Sequence, residues 1–238
     1  MTENNPPIAA PPKPAPRWRV LRRTLLVLCL GLLALLAVAA LRFFAFHNFG
    51  TVVEGQVYRS NQPDGDEIRR WQTQYGLKSV LNLRGDEKRN ARVQSEMAAA
   101  KEVGVQYTSV QLASSSEMTR EDLTRTIEAL ETAPRPLLIH CRLGADRTGV
   151  VSMMAAMAIG GESYREARRQ VTPLYFHFDY APKHVASVLG EYETWCRQTG
   201  RDTDGWTQFR QWAMTVYKPA VPLSPAAPVA GSTASARR

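Results

Sequence analysis

The chain has 238 residues, 44% hydrophobic and 22% charged, with three cysteines and a formal net charge of +8. That length suits one domain with appendages, and three cysteines exclude a disulfide framework. Nine Lys/Arg and one acidic residue lie outside residues 48–217, which balance at 21 of each sign; the basic charge therefore belongs to the ends and excludes the basic face of a nucleic-acid binder.

Residues 1–20 are Pro-rich and polar and predict a disordered start. Residues 24–41 carry no charge, and FFAF follows Arg42. At helical rise such a stretch crosses a hydrocarbon core, which places a transmembrane anchor at 21–46. An all-round apolar helix is unlike a surface helix of a soluble fold. Ala37-Val38-Ala39 would also suit signal-peptide cleavage, but the length of the run favours an uncleaved anchor. Arg17, Arg19, Arg22 and Arg23 precede the span and only Arg42 closes it. The positive-inside rule then puts the N-terminus in the cytoplasm and the domain outside it, in the periplasm of a bacterium.

Residues 48–217 alternate between strand and helix patterns. Strands are predicted at Val52–Tyr58, Ser79–Leu83, Val105–Leu112 and Leu137–His140. Helices are predicted at Asp64–Tyr75, Arg92–Val103 and Thr119–Thr132, the last with Thr119 and Asp122 as a capping pair. Further helices follow near 148–159, 162–171, 181–198 and 204–216. The expected fold is α/β, a central mostly parallel sheet flanked by helices and preceded by one transmembrane helix. Residues 218–238 predict a disordered tail.

Residues 140–149 read HCRLGADRTG. A buried strand leads into Cys141 and an apolar helix follows Gly149, so Cys141 lies on a strand–loop–helix turn. The loop Arg142, Leu143, Gly144, Ala145, Asp146, Arg147 would direct backbone N–H groups toward one point at a helix N-terminus, a cradle for a tetrahedral dianion. The same positive end favours the nucleophilic thiolate at Cys141. Arg147, fork-shaped and always charged, can clamp two phosphate oxygens. Thr148 can hydrogen-bond the Cys141 sulfur, and His140 can orient the loop. The four histidines, at 47, 140, 177 and 184, are scattered, and no cluster has metal-ligand spacing.

HCRLGADRTG resembles the phosphate-binding loop of the protein tyrosine/dual-specificity phosphatase superfamily. VYRSNQPD (57–64) and GLKSVLNLRGDEKRN (76–90) resemble the start of its compact dual-specificity-like branch. The resemblance covers about residues 52–190. It implies a phosphocysteine mechanism without metal or cofactor, with Cys141 as nucleophile and Arg147 as clamp. Such an enzyme also needs a general acid, and many relatives carry an Asp about thirty residues before the cysteine. Here that stretch, Gln111 to Met118, has no Asp. Glu117 is its carboxyl and Asp122 starts a helix. Asp146 is a second candidate, because a carboxyl beside a bound dianion is disfavoured as carboxylate; assistance by substrate or water is the third reading.

Arg59 and Arg84 follow strands and are expected in surface ion pairs, although the resemblance also places Arg84 near the active-site rim, where it could meet a substrate phosphate. Arg165, Arg168 and Arg169 fit a solvated helix face. The expected partners are a phosphorylated protein or lipid substrate and the membrane through residues 21–46, without nucleic acid. Two alternatives are a non-catalytic anchored phosphate-binding module and a rhodanese-like sulfurtransferase.

Overall fold

The computed structural model describes residues 17–85, 90–113, 115–178 and 184–218. The Pro-rich start through residue 16 and the tail after 218 lie outside the described residues. The chain divides into two units, Met1–Ala45 and Phe46–Arg238. In the first, α1 (Arg17–Ala40) continues into a π-helical turn, Leu41–Ala45. Trp18–Ala45 is 28 residues long, and its most apolar 18-residue stretch has a mean hydropathy of 2.8. It is long and apolar enough to cross a membrane.

The second unit holds a five-stranded sheet in the order β1-β2-β5-β3-β4. The strands are β1 (Gly50–Val53), β2 (Val57–Ser60), β3 (Ser79–Asn82), β4 (Gln106–Ser109) and β5 (Leu137–His140). β1 runs antiparallel to β2; every other pairing is parallel. The sequence predicted one strand over Val52–Tyr58. The chain instead reverses between β1 and β2, because Gly55 turns it with a φ of 66°. Glycine adopts that left-handed conformation without steric cost.

β2, β3 and β5 are buried along their whole length, as parallel strands covered on both faces must be. Alternate residues serve alternate faces. Tyr58, Val80 and Leu138 pack against Ile68 and Trp71 of α2 (Gly65–Tyr75) and Ala99 and Ala100 of α3 (Ala91–Glu102). Val57, Leu81, Leu137 and Ile139 pack into the other core. That core takes in α4 (Arg120–Thr132), α5 (Asp146–Ala158), α6 (Tyr164–Ala167), α7 (Ser187–Thr199) and α8 (Trp206–Thr215). The helix predicted over 162–171 breaks after α6 into a 3-10 turn, Arg168–Gln170. The helix predicted from 181 begins only at Ser187, after a bend and turn over 184–186; residues 181–183 lie outside the described residues.

Local chemistry sets the helix starts. Thr119 Oγ1 accepts from the Asp122 N–H at 3.0 Å, and Asp122 accepts from the Thr119 N–H at 3.2 Å. This is the capping pair expected from sequence. Asp64 and Glu67 form a second such box ahead of α2.

Beneath the C-terminal end of β5 lies a buried polar cluster. His140 Nε2 is 3.1 Å from Glu96 Oε2 on α3, and both side chains are fully buried. Gln62 Nε2 and the Tyr107 hydroxyl donate to the same carboxylate at 2.6 and 2.8 Å. Burial pushes the Glu96 carboxyl up, but His140 and these two donors outweigh it and hold the carboxyl below the usual range. A carboxylate with a lowered folded value adds stability above its unfolded value and loses it as pH falls through the folded one. The domain should therefore destabilise on acidification below about pH 4, and Glu96→Gln should flatten that slope by up to about 1.4 kcal/mol per pH unit. Urea unfolding followed by tryptophan fluorescence across a pH series measures it; identical slopes for both chains would contradict the assignment.

Candidate active site

β5 lies at the centre of the sheet, so the loop that leaves it is flanked by the C-terminal ends of β2 and β3. Open parallel sheets bind ligands at such strand ends. Cys141 is the first residue of the loop and is 2% exposed. Arg142 and Leu143 face solvent, and Gly144 and Ala145 are buried. Gly144 has a φ of 68°, and a Cβ there would lie 2.6 Å from both the Asn61 nitrogen and the Ser60 carbonyl oxygen. Both its conformation and its space admit glycine alone.

Asp146 opens α5, whose N-cap Ala145 makes no side-chain capping bond. α2, α3 and α4 each close their first turn with a side chain. The first N–H groups of α5, like those of α7 and α8, have no side-chain capping partner. From Thr148 to Met157 the helix is buried. Gly149 lets it pass close to the Gln170 carbonyl, 3.0 Å from where a Cβ would stand.

Arg147 Nη1 donates to the Leu112 and Leu83 carbonyls at 3.0 and 3.4 Å. These carbonyls follow β4 and β3, so the guanidinium is held over the strand ends. Thr148 is fully buried and its hydroxyl has no hydrogen-bond partner among the described residues. The bond expected from Thr148 to the Cys141 sulfur is not formed here. The His140 side chain meets Glu96, as above, and its carbonyl accepts from the Leu83 N–H at 2.9 Å.

Two side chains brace the loop from behind. Arg59 is fully buried, not in a surface ion pair as its sequence position suggested. Its Nη2 donates to the Gly144 carbonyl at 2.6 Å. Its Nη1 donates to the Gln170 carbonyl at 2.6 Å and to Gln170 Oε1 at 3.0 Å. The guanidinium lies 3.7 Å from the centre of the Tyr175 ring, a cation–π contact. Asn48 Nδ2 faces three carbonyls, those of Leu143 and Gly144 at 3.2 Å and Tyr175 at 3.3 Å. Arg84, also expected at the surface, is partly buried and donates to Gln62 Oε1, which joins it to the Glu96 cluster.

The two acid candidates separate. Glu117 lines a surface depression with Gly190, Glu191 and Tyr217, and no residue of the 140–149 loop contributes to it. Asp122 is committed to the α4 cap. Asp146 instead lies in the loop, with Oδ1 2.7 Å from Nδ1 of His177. Nothing in the sequence pointed to His177, Asn48 or Gln170 at this site, because none of them stands in a recognisable spacing to Cys141.

Several solved structures are similar to the chain. P. aeruginosa TpbA shares 18% identity over 71% of this chain and 92% of its own, with a TM-score of 0.46. The core catalytic domain of the PP-IP phosphatase SIW14 from S. cerevisiae shares 21% over 67% of this chain and 96% of its own, with a TM-score of 0.41. No curated protein matches the chain. The sequence model of the tyrosine phosphatase family matches residues 44–165, more than half of the 238, from the end of the apolar helix through the Cys141 loop to α6. The chain belongs to the tyrosine phosphatase family.

Proposed function

We propose that this chain is a membrane-anchored, cysteine-dependent phosphatase of the dual-specificity-like branch. It hydrolyses phosphate monoesters on protein, or on lipid and inositol groups, through a phosphocysteine intermediate. The observation that carries the reading is the loop: Cys141 at the foot of a helix start without a side-chain cap, with Arg147 six residues on and a glycine-only turn between.

Cys141 Sγ attacks phosphorus as the thiolate, and the leaving oxygen takes the P–O electrons and a proton from Asp146. The N–H groups at the start of α5 and the Arg147 fork bear the charge on the equatorial oxygens. Water then attacks the phosphocysteine and returns a proton to Asp146, and the thiolate departs with the S–P electrons. Family membership and the Arg147 clamp favour phosphoryl over sulfur transfer.

Assayed on the full-length chain in detergent with EDTA present, phosphopeptide, phospholipid and inositol phosphate panels identify the substrate. Cys141→Ser should lower turnover by at least about 10³-fold while still binding phosphate, and Arg147→Lys, which keeps charge but loses the planar fork, by about 10²-fold or more. Undiminished turnover in Cys141→Ser would sink the mechanism.

The arginines ahead of the apolar helix support an anchor with its N-terminus in the cytoplasm. A C-terminal fusion to a reporter active only outside the cytoplasm should be active. A fusion to a cytoplasm-only reporter that gives signal would reverse the topology.

Asp146→Asn should slow alkyl phosphates by about 10²-fold or more and leave an activated aryl phosphate, whose leaving group needs no proton, nearly unchanged. Glu117→Gln should be silent on both. Equal losses on the two substrate classes would give Asp146 a structural role instead.

A further inference from the structure

Among the described residues of the second unit, the exposed large apolar side chains are Phe46, Leu143, Leu174, Phe178 and Val216, between 41% and 66% exposed. Single exposed apolar side chains are ordinary on a protein surface, whereas a cluster of them marks an interaction. The first four stand on segments that meet at the cysteine loop.

Leu143 belongs to the loop itself, between Arg142 and Gly144. Leu174 lies in the 3-10 turn Pro173–Tyr175. Asn48 joins the two, with Nδ2 3.2 Å from the Leu143 carbonyl and 3.3 Å from that of Tyr175. Arg59 adds a second tie, donating to the Gly144 carbonyl while lying 3.7 Å from the centre of the Tyr175 ring. Phe178 follows His177, whose Nδ1 is 2.7 Å from Oδ1 of Asp146. Phe46 precedes His47, whose carbonyl accepts from the Asn61 N–H at 2.7 Å. A Cβ on Gly144 would stand 2.6 Å from that same Asn61 nitrogen. Residues 46–48, 143–146 and 174–178 are thus pinned together by polar contacts, and each segment leaves apolar side chains in solvent.

Apolar side chains beside a phosphate cradle do nothing for the anion. They meet whatever carries it. Phe46 directly follows Ala45, the last residue of the apolar stretch Trp18–Ala45. Asn48, which holds the Leu143 carbonyl, comes three residues after Ala45, a tether of at most about 11 Å.

We propose that Phe46, Leu143, Leu174 and Phe178 form a rim that seats on the lipid bilayer, and that the Cys141 site takes its phosphate monoester from a lipid headgroup in that bilayer. This rests on the anchored, phosphocysteine reading above. With the apolar helix in the membrane, so short a tether keeps Asn48 and the loop it holds at the lipid surface. An apolar rim there gains by burial at the boundary of headgroups and acyl chains, as the apolar faces of interfacial helices do. Arg142, exposed beside Leu143, is drawn to anionic headgroups. A phosphotyrosyl ring needs one apolar wall beside the cradle. Side chains from three segments, one of them the segment that follows the apolar helix, suit a surface instead. The reaction is the one written above: the leaving oxygen stays on the lipid as a hydroxyl, and phosphate is released to water.

The test uses the full-length chain reconstituted in phosphatidylcholine vesicles that carry phosphatidic acid or a phosphatidylinositol phosphate. Phosphate release from the vesicle lipid is compared with turnover of a water-soluble aryl phosphate and of a phosphotyrosyl peptide by the same preparation. The unaltered chain should act on at least one of the two lipids. Leu174→Ser and Phe178→Ser should each lower the ratio of lipid to aryl turnover about 10-fold. Phe178→Leu, which stays apolar, should keep most of that ratio. Damage to the fold lowers both activities and cancels in the ratio. An unchanged ratio in both serine variants would overturn the proposal, as would an unaltered chain that acts on the peptide and on neither lipid. A loss confined to the peptide would overturn it too, by making the rim a surface for protein substrates. Failure of the underlying reading shows elsewhere, as aryl turnover that survives Cys141→Ser or as a chain that an alkaline carbonate wash strips from the vesicles.

Discussion

The site depends on the carbonyl of Gly144 and on what holds it. A tetrahedral anion can be cradled only if the loop's N–H groups point inward, and its carbonyls must then point outward and find donors. Gly144 supplies the left-handed turn that makes this possible, and Arg59 supplies the donor at 2.6 Å. A buried guanidinium is costly unless it is satisfied. Arg59 offsets that cost with two backbone carbonyls, an amide oxygen and the face of Tyr175. Hydrogen bonds to a charged group contribute about 1.5–3 kcal/mol each, so the contact that shapes the loop is also among the stronger ones in the fold.

The sheet explains why these groups can meet. With β5 between β2 and β3, Ser60 and Asn82 both pair in register with His140, so three strands end at one level. The residues that leave those ends supply Asn61 and Gln62 on one side and Leu83 and Arg84 on the other, all within reach of the loop. Glu96 fixes the level from below through His140 and Gln62. Arg147 fixes it from above by leaning on the Leu83 and Leu112 carbonyls.

What was legible in the sequence was local, and what was missed was distant. Cys141, Gly144 and Arg147 lie within seven residues of one another, so their spacing alone suggested a loop chemistry. The Thr119–Asp122 capping pair, three residues apart, was readable for the same reason. Arg59 and Gly144 are 85 residues apart, and Asn48 and Tyr175 127 apart. In one dimension Arg59 is simply a charge beside a strand, and charges default to the surface. The strand predicted over Val52–Tyr58 failed for a different reason: the apolar pairs Val52-Val53 and Val57-Tyr58 read as one strand across Glu54-Gly55-Gln56, and an isolated glycine in a strand pattern reads as well as a bulge as a reversal.

The three cysteines lie in three different settings. Cys29 lies in the apolar α1 and faces outward there. Cys196 is buried among the aromatic rings of α7 and α8, and burial pushes its thiol up, away from the reactive thiolate. Cys141 is as buried as Cys196, yet its surroundings are of another kind: a strand end before it and a helix start without a side-chain cap after it. Burial alone would make Cys141 a small packed hydrophobe. What distinguishes it is the direction of the backbone around it, which the left-handed turn at Gly144 and the outward pull of Arg59 and Asn48 impose. The setting of Cys141 is thus specified less by its own residue type than by the glycine three positions later and by two side chains that lie far from the motif in sequence.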